Sequence, residues 1–202
     1  MHKILAPVIV ASAVLFLSGC GVDTTGLSAE SSRSAAGAQT ASVTLIEYGD
    51  FQCPACKTAH EILTKPLLVK YDGKLRFVFK HFPLQGIHVH AMEAAQASEC
   101  AADQGKFWEF FDKNYEKQED LSSTALRDWA RELGLDEALF DRCVRSGIKK
   151  ATVLADYKEG EKLGVNSTPS YFVNGVRVKE NTLEGISSAI DSAIANASSV
   201  PL

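Results

Sequence analysis

Two cysteines three positions apart, Cys53 and Cys56, are the residues of this 202-residue chain best placed to do chemistry. They follow an alternating, β-rich segment that ends at Gly49-Asp50, and they open a helical one. Pro54 sits where a first helical turn tolerates proline. At a helix N-terminus, unpaired N–H groups and the macrodipole favour negative charge, so Cys53 should ionise readily and act as nucleophile and leaving group. Cys56, one turn on, is close enough to close a disulfide while pointing inward. Two other uses of such a pair fit less well. Half of a structural zinc site needs a second close pair, which Cys100 and Cys143 do not make. A purely structural disulfide across so short a loop stabilises little. Thiol–disulfide exchange is the expected chemistry.

The elements that must position this pair are legible as patterns. Residues 43–48 read as a strand with Val43, Leu45 and Glu47 on one face, and residues 75–82 as a second, buried strand. Ala55, Ala59, Ile62 and Leu63 have helical spacing up to Pro66, which should kink or end that helix. A long helical region follows, with apolar faces at Phe107, Phe110, Phe111 and Tyr115 and at Leu126, Trp129, Ala130 and Leu133. The chain returns to sheet at residues 171–178, a hairpin turning on Asn174-Gly175. A last helix carries Leu183, Ile186, Ile190 and Ile194, with Asn181 and Glu184 as its capping pair. Strand, helix, strand, a helical block, then hairpin and helix make an α/β sheet with a helical insertion.

The N-terminus has a different character. A basic start, an apolar run from Ile4 to Leu17 and the small residues Ser18-Gly19 describe a secretory signal peptide, too short for a spanning helix of about 20 apolar residues. Leu17-Ser18-Gly19-Cys20 resembles a bacterial lipobox, which implies a signal over residues 1–19 and acylation of Cys20. Residues 21–41 are Ser-, Ala-, Gly- and Thr-rich without apolar period, the composition of a flexible tether reaching about 25 Å. The expected organisation is signal (1–19), lipidated Cys and tether (20–41), first sheet portion (42–84), helical insertion (85–160) and second sheet portion (161–202). Export leaves Cys53, Cys56, Cys100 and Cys143 in a disulfide-permissive compartment. Cys100 and Cys143, on helices with apolar neighbours, form a second disulfide or remain two buried thiols.

Phe51-Gln52-Cys53-Pro54-Ala55-Cys56 resembles the active-site motif of the DsbA-like branch of the thioredoxin superfamily, and residues 165–175, around Thr168-Pro169, resemble its cis-proline segment. Gln104-Gly105-Lys106-Phe107-Trp108 and Phe140-Asp141-Arg142-Cys143 are similar to pieces of the family's helical insertion. The resemblance implies a thioredoxin fold with an inserted helical domain, and a thiol:disulfide oxidoreductase acting on reduced exported proteins, with a redox partner that resets the active site. It implies a cis Thr168–Pro169 bond beside the cysteines, with Thr168 pairing to client backbone. Glu47 matches an acidic residue beneath the active site that takes the Cys56 proton; a partly exposed strand-end Glu is the alternative.

Proline after the first cysteine leans toward disulfide donation, because stabilising the Cys53 thiolate stabilises the reduced form. Ala55, where the strongest oxidases carry His, and Thr168, shared with isomerase-type relatives, lean toward isomerase or reductase. A copper-binding metallochaperone is the other class; it usually spaces its cysteines more widely and recruits a distant His. His81, His88 and His90 read as packing or capping residues rather than metal ligands, and neither metal nor cofactor is expected. A net charge of −4 without a basic face argues against nucleic acid. The absence of room for a dimerisation domain points to a monomer, held to a bacterial membrane by its anchor.

Overall fold

The computed structural model describes residues 22–198, so the signal segment and Cys20 lie outside the described residues. The sheet is built from β1 (Ala36–Gly37), β2 (Val43–Gly49), β3 (Leu75–His81), β4 (Ser170–Val173) and β5 (Val176–Arg177), in the order β1-β3-β2-β4-β5. Strands β2 and β3 run parallel, with Glu47 opposite Phe79, and the other neighbours are antiparallel. The parallel pair requires a crossover. It is supplied by α1 (Pro54–Ala59), a π turn (His60–Thr64) and α2 (Lys65–Lys70).

Pro66 does not end this helix. The chain widens by one i→i+5 bond, Lys65 N to His60 O, and Pro66 then falls in the first turn of α2, where its missing N–H costs least. Between β3 and β4 lies the helical insertion, α3 (Ala91–Ala102), α4 (Phe107–Glu116), α5 (Ser123–Glu132), α6 (Glu137–Ser146) and α7 (Lys150–Lys162). Cys100 of α3 and Cys143 of α6 are disulfide-bonded across it. The final helix, α8 (Leu183–Ser198), packs Ile186 and Ile190 under the sheet. Its first turn is capped by Thr182, whose Oγ1 accepts from Gly185 N at 3.0 Å, rather than by Asn181. The hairpin turn holds Asn174 at φ 46° and Gly175 at φ 80°, the two positive values that Asn-Gly accommodates.

One continuous core joins sheet and insertion through aromatic side chains. Phe51, from the active-site loop, stacks on Phe79 at 5.2 Å and meets Phe111 and Tyr115 edge-on or tilted. Gly49 ends β2 without a side chain because a Cβ there would lie 2.3 Å from the Phe79 ring and 3.2 Å from the Tyr115 hydroxyl.

The segment expected as a tether is instead docked along the domain. Ala36 and Gly37 pair with β3, and Leu27 packs against the core. The Arg33 guanidinium is buried between Glu99 and Asp156, over the Phe107 ring. Lys149, fully buried, donates to Glu30 O (2.6 Å) and to Asp103 (2.7 Å), and Trp108 donates to Ser34 O. Composition alone undervalues such a strap, whose stabilising partners are supplied by distant helices.

Candidate active site

Cys53 occupies the N-cap of α1 with extended backbone (φ −78°, ψ 119°), and Pro54 follows in the first turn. Its carbonyl accepts from Cys56 N (3.0 Å) and Lys57 N (3.2 Å), and its own N–H donates to Asp50 O. Both cysteines are free thiols. Cys53 is 7% exposed and Cys56 fully buried, while Pro54 and Ala55 stand at the surface. Access to the pair is therefore from the Cys53 side.

The two sulfurs differ in proton affinity. Hydrogen bonding from the Cys56 thiol, helped by the Thr168 side chain and the N–H groups of Cys56 and Ala55, outweighs burial and brings the Cys53 pKa down to about 5. Burial, the neighbouring Cys53 sulfur and the Glu47 carboxyl push Cys56 well above its ordinary value. At neutral pH the reduced pair is an anionic Cys53 over a protonated Cys56.

The loop before β4 lies against this pair. The Thr168–Pro169 peptide is cis, and Cys53 Sγ is 3.5 Å from Thr168 O. Asn181, expected at the helix cap, donates from Nδ2 to Pro169 O at 2.8 Å. Ser170 Oγ donates to Ser167 O, and Arg177 reaches both Gly164 O and Ser170 Oγ. These contacts hold the Thr168 carbonyl in place beside the nucleophile.

Glu47 is fully buried on β2, not exposed at the strand end. Oε2 accepts from Thr64 Oγ1 at 2.9 Å. Since Thr64 has only that one proton, the Tyr171 hydroxyl, 3.3 Å away, donates to Thr64. Burial dominates these hydrogen bonds and raises the carboxyl pKa to about 7. Its ordinary value is 4.5, so as pH rises from 4.5 to 7 the unfolded chain ionises while the folded one does not, and stability falls. Above pH 7 the penalty levels off at about 3 kcal/mol. Urea unfolding at pH 8 should therefore find Glu47→Gln more stable than the wild type by up to about 3 kcal/mol, less whatever hydrogen bonding Gln forfeits, the gain disappearing below pH 4.5.

Three further residues shape the site through contacts that the pattern around the cysteines did not reveal. Asp50, read as a strand breaker, knots the active-site turn: Oδ1 accepts from Gln52 N (2.7 Å), and Oδ2 accepts from Leu84 N (2.8 Å) and pairs with His88 Nδ1 (2.7 Å). Gln52 Oε1 in turn accepts from His90 N. Gln118, just past α4, donates from Nε2 to Phe51 O (2.7 Å) and Cys53 O (2.9 Å). An Asp three residues before the first cysteine was visible; Gln118 carried no signal, being 65 positions away. His81 pairs with buried Glu99, as a packing role requires. Among the described residues no group of three His, Cys, Asp or Glu side chains is arranged to hold a metal ion.

The Thioredoxin family model matches residues 30–192. The structure is similar to a thioredoxin-like oxidoreductase from Silicibacter pomeroyi (TM-score 0.72, 26% identity, covering 82% of this chain and 94% of that one). It shares its fold with BdbD from Bacillus subtilis (TM-score 0.68, 24% identity, 81% and 94%) and with alpha-DsbA1 of Wolbachia pipientis (TM-score 0.69, 23% identity, 80% and 92%). Curated relatives include a protein named Na(+)/H(+) antiporter NhaA 1 from Mycolicibacterium vanbaalenii, 39% identical over 145 residues, 71% of this chain. The chain spans only 23% of that relative's length, and among the described residues no helix is long and apolar enough to cross a membrane. The cysteine pair at a helix start, the cis-proline loop against it, the helical insertion and the matched family model agree: the chain belongs to the thioredoxin family.

Proposed function

We propose that this protein is a DsbA-like thiol–disulfide oxidoreductase, an exported oxidase that donates the Cys53–Cys56 disulfide to reduced proteins outside the cytoplasm. The observation that carries the reading is the asymmetry of the pair: an ionised, accessible Cys53 above a protonated, buried Cys56. A thiolate stabilised in the reduced protein makes the disulfide the less stable state, hence an electron acceptor.

In the forward reaction a client thiolate attacks Cys53 Sγ of the oxidised pair. The client–Cys53 bond forms, the Cys53–Cys56 bond breaks, and Cys56 leaves as a thiolate that takes a proton from Glu47. A second client thiolate attacks the client sulfur of this mixed disulfide; the client disulfide forms and Cys53 departs as its stabilised thiolate. Two electrons have moved from client to enzyme, and an oxidising partner must remove them. The backbone beside the cis-proline, with Thr168 O against Cys53, supports a role in pairing with an extended client segment.

The reading places the protein on a bacterial membrane through acylated Cys20. Docking of residues 27–37 would then keep the helical insertion close to the bilayer, in place of a freely turning domain. The test of function is direct: the oxidised protein, mixed with an equimolar reduced client of two cysteines, should convert it to the disulfide form as its own thiols appear. A client left reduced, with Cys53–Cys56 intact, would remove the oxidase reading.

A further inference from the structure

Beneath Cys56 two buried oxygens have no hydrogen-bond partner in the protein: Glu47 Oε1 and the Tyr115 hydroxyl. Both side chains are wholly or almost wholly buried, and orphaned buried polar atoms are uncommon because each costs about 1–3 kcal/mol. The two are near enough for the Glu47 charge to act on the Tyr115 phenol. Gly49, on the same face of β2 as Glu47, is the residue whose missing Cβ leaves room for the Tyr115 hydroxyl. Cys56 and Glu47 are, after burial, the main electrostatic neighbours that keep the Tyr115 phenol protonated and thus a donor. Sequence patterning places Tyr115 only on the apolar stripe of its helix, with no hint of a polar duty.

We propose that Tyr115 is a positioning residue for the Glu47 proton step, its hydroxyl and Glu47 Oε1 together holding one internal water beneath Cys56. A buried water requires two or more polar partners, which these atoms supply. Oε2 already accepts from Thr64, itself held by Tyr171, so Oε1 is the oxygen free to exchange a proton with Cys56. When Cys56 resolves a mixed disulfide, its S–H proton passes across the water to Oε1, Cys56 Sγ bonds to Cys53 Sγ, and the partner sulfur leaves as a thiolate. Tyr115, donating to the water, stabilises the arrangement in which Glu47 is ionised and ready to accept.

The other ionisable groups around this cell are few. Cys53 and Cys56 face it from α1, Asp50 from the turn after β2, and Tyr171 from β4. His60 of the π turn lies against the Tyr115 ring but directs Nε2 to Asp112, 2.9 Å away. Strand β3 presents only Phe79 opposite Glu47.

This inference rests on the exchange chemistry proposed above. The experiment follows closure of the Cys53–Cys56 bond after reduced protein reacts with oxidised glutathione, from pH 4 to 9, in wild type, Glu47→Gln, Tyr115→Phe and Phe111→Leu. The wild-type closure rate should titrate near pH 7 and Glu47→Gln should lose that titration. Tyr115→Phe, lacking one donor to the carboxylate's water, should move the midpoint upward by roughly half to one pH unit. Phe111→Leu, which loosens the packing around the Tyr115 ring but keeps its hydroxyl, should lower the Tm and leave the midpoint in place. A wild-type midpoint in Tyr115→Phe, with the titration still dependent on Glu47, would overturn the inference. Failure of wild type to form the Cys53–glutathione adduct would instead remove the function on which it rests. Should Tyr115→Phe not fold, a high-resolution crystal structure of the wild type decides: one ordered water within hydrogen-bond distance of both Tyr115 Oη and Glu47 Oε1 is expected, and a dry contact refutes it.

Discussion

Replacing Cys53 with Ser should abolish client oxidation, whereas Cys56→Ser, given a client that already carries a disulfide, should still attack it and then stall with the client covalently attached. The distinction follows from burial and charge. Cys53, 7% exposed, is the less buried of the two and the one held as thiolate, with a pKa of about 5. A thiol of pKa about 8.5 would be only a few per cent ionised at pH 7, so the site multiplies the reactive form by roughly 30-fold or more. A serine hydroxyl provides no comparable anion, and exchange should fall to the uncatalysed level. Cys56 is fully buried and protonated, unsuited to first attack but placed one turn away to resolve. In Cys56→Ser mixed with a disulfide-bonded client, the Cys53–client bond forms as the client disulfide breaks, and non-reducing gels should show an adduct that accumulates and disappears with dithiothreitol. Adduct formation by Cys53→Ser would reverse the roles assigned to the two sulfurs.

The largest stability effect should come from a residue far from the cysteines in sequence. Arg33→Met removes the cation that pairs with Glu99 and with Asp156 Oδ2 at 2.8 Å. Glu99 is left buried with His81 as its remaining ionisable partner, and Asp156 with Lys80 and the His81 backbone N–H. Breaking one side of a buried pair typically costs about 3–5 kcal/mol, more than either member contributes when both are present. For a domain of this size that corresponds to a Tm drop of roughly 6–20 °C. Despite burial, His81 and Arg33 hold the Glu99 pKa at about 2 in the folded chain, against an ordinary 4.5. Its contribution is therefore complete above pH 4.5 and is lost as pH falls toward 2. Calorimetry at pH 7 should find Arg33→Met destabilised by several kcal/mol, with the difference narrowing below pH 4. A change within 0.5 kcal/mol would mean that residues 22–41 form a detachable tether after all.

The elements and motifs that the sequence disclosed are those whose determinants are local. The Cys53–Cys56 spacing, the strand ahead of it, the Asn174-Gly175 turn and the amphipathic helices each carry their signal within a few residues, and the structure follows them. The docked strap escaped because its partners Glu99 and Asp156 lie 66 and 123 positions away, while its own Ser- and Ala-rich composition resembles disordered chain. The helix continues past Pro66 for a related reason: a widened turn just upstream absorbs the missing donor, and nothing in the residues 60–64 announces it. Asn181 looked like a helix cap because it precedes the helix, yet Thr182 is the residue at the cap position, leaving Asn181 to fasten the cis-proline loop. Within the site, Glu47 was visible by its position on the strand. The polar partners that set its proton affinity, Thr64 and Tyr171, come from separate elements and meet only on folding.

The central claim is that the stabilised Cys53 thiolate makes the Cys53–Cys56 disulfide an oxidant. Equilibrating the protein against glutathione buffers and counting free thiols measures its reduction potential directly. Thioredoxin, with a nucleophile pKa of about 7, lies near −270 mV, and DsbA, with about 3.5, near −120 mV. A Cys53 pKa of about 5 predicts a value between them, clearly above about −270 mV and oxidising enough to donate disulfides to unfolded exported proteins. A value near −270 mV would contradict the account and mark the protein as a reductase that draws electrons from elsewhere.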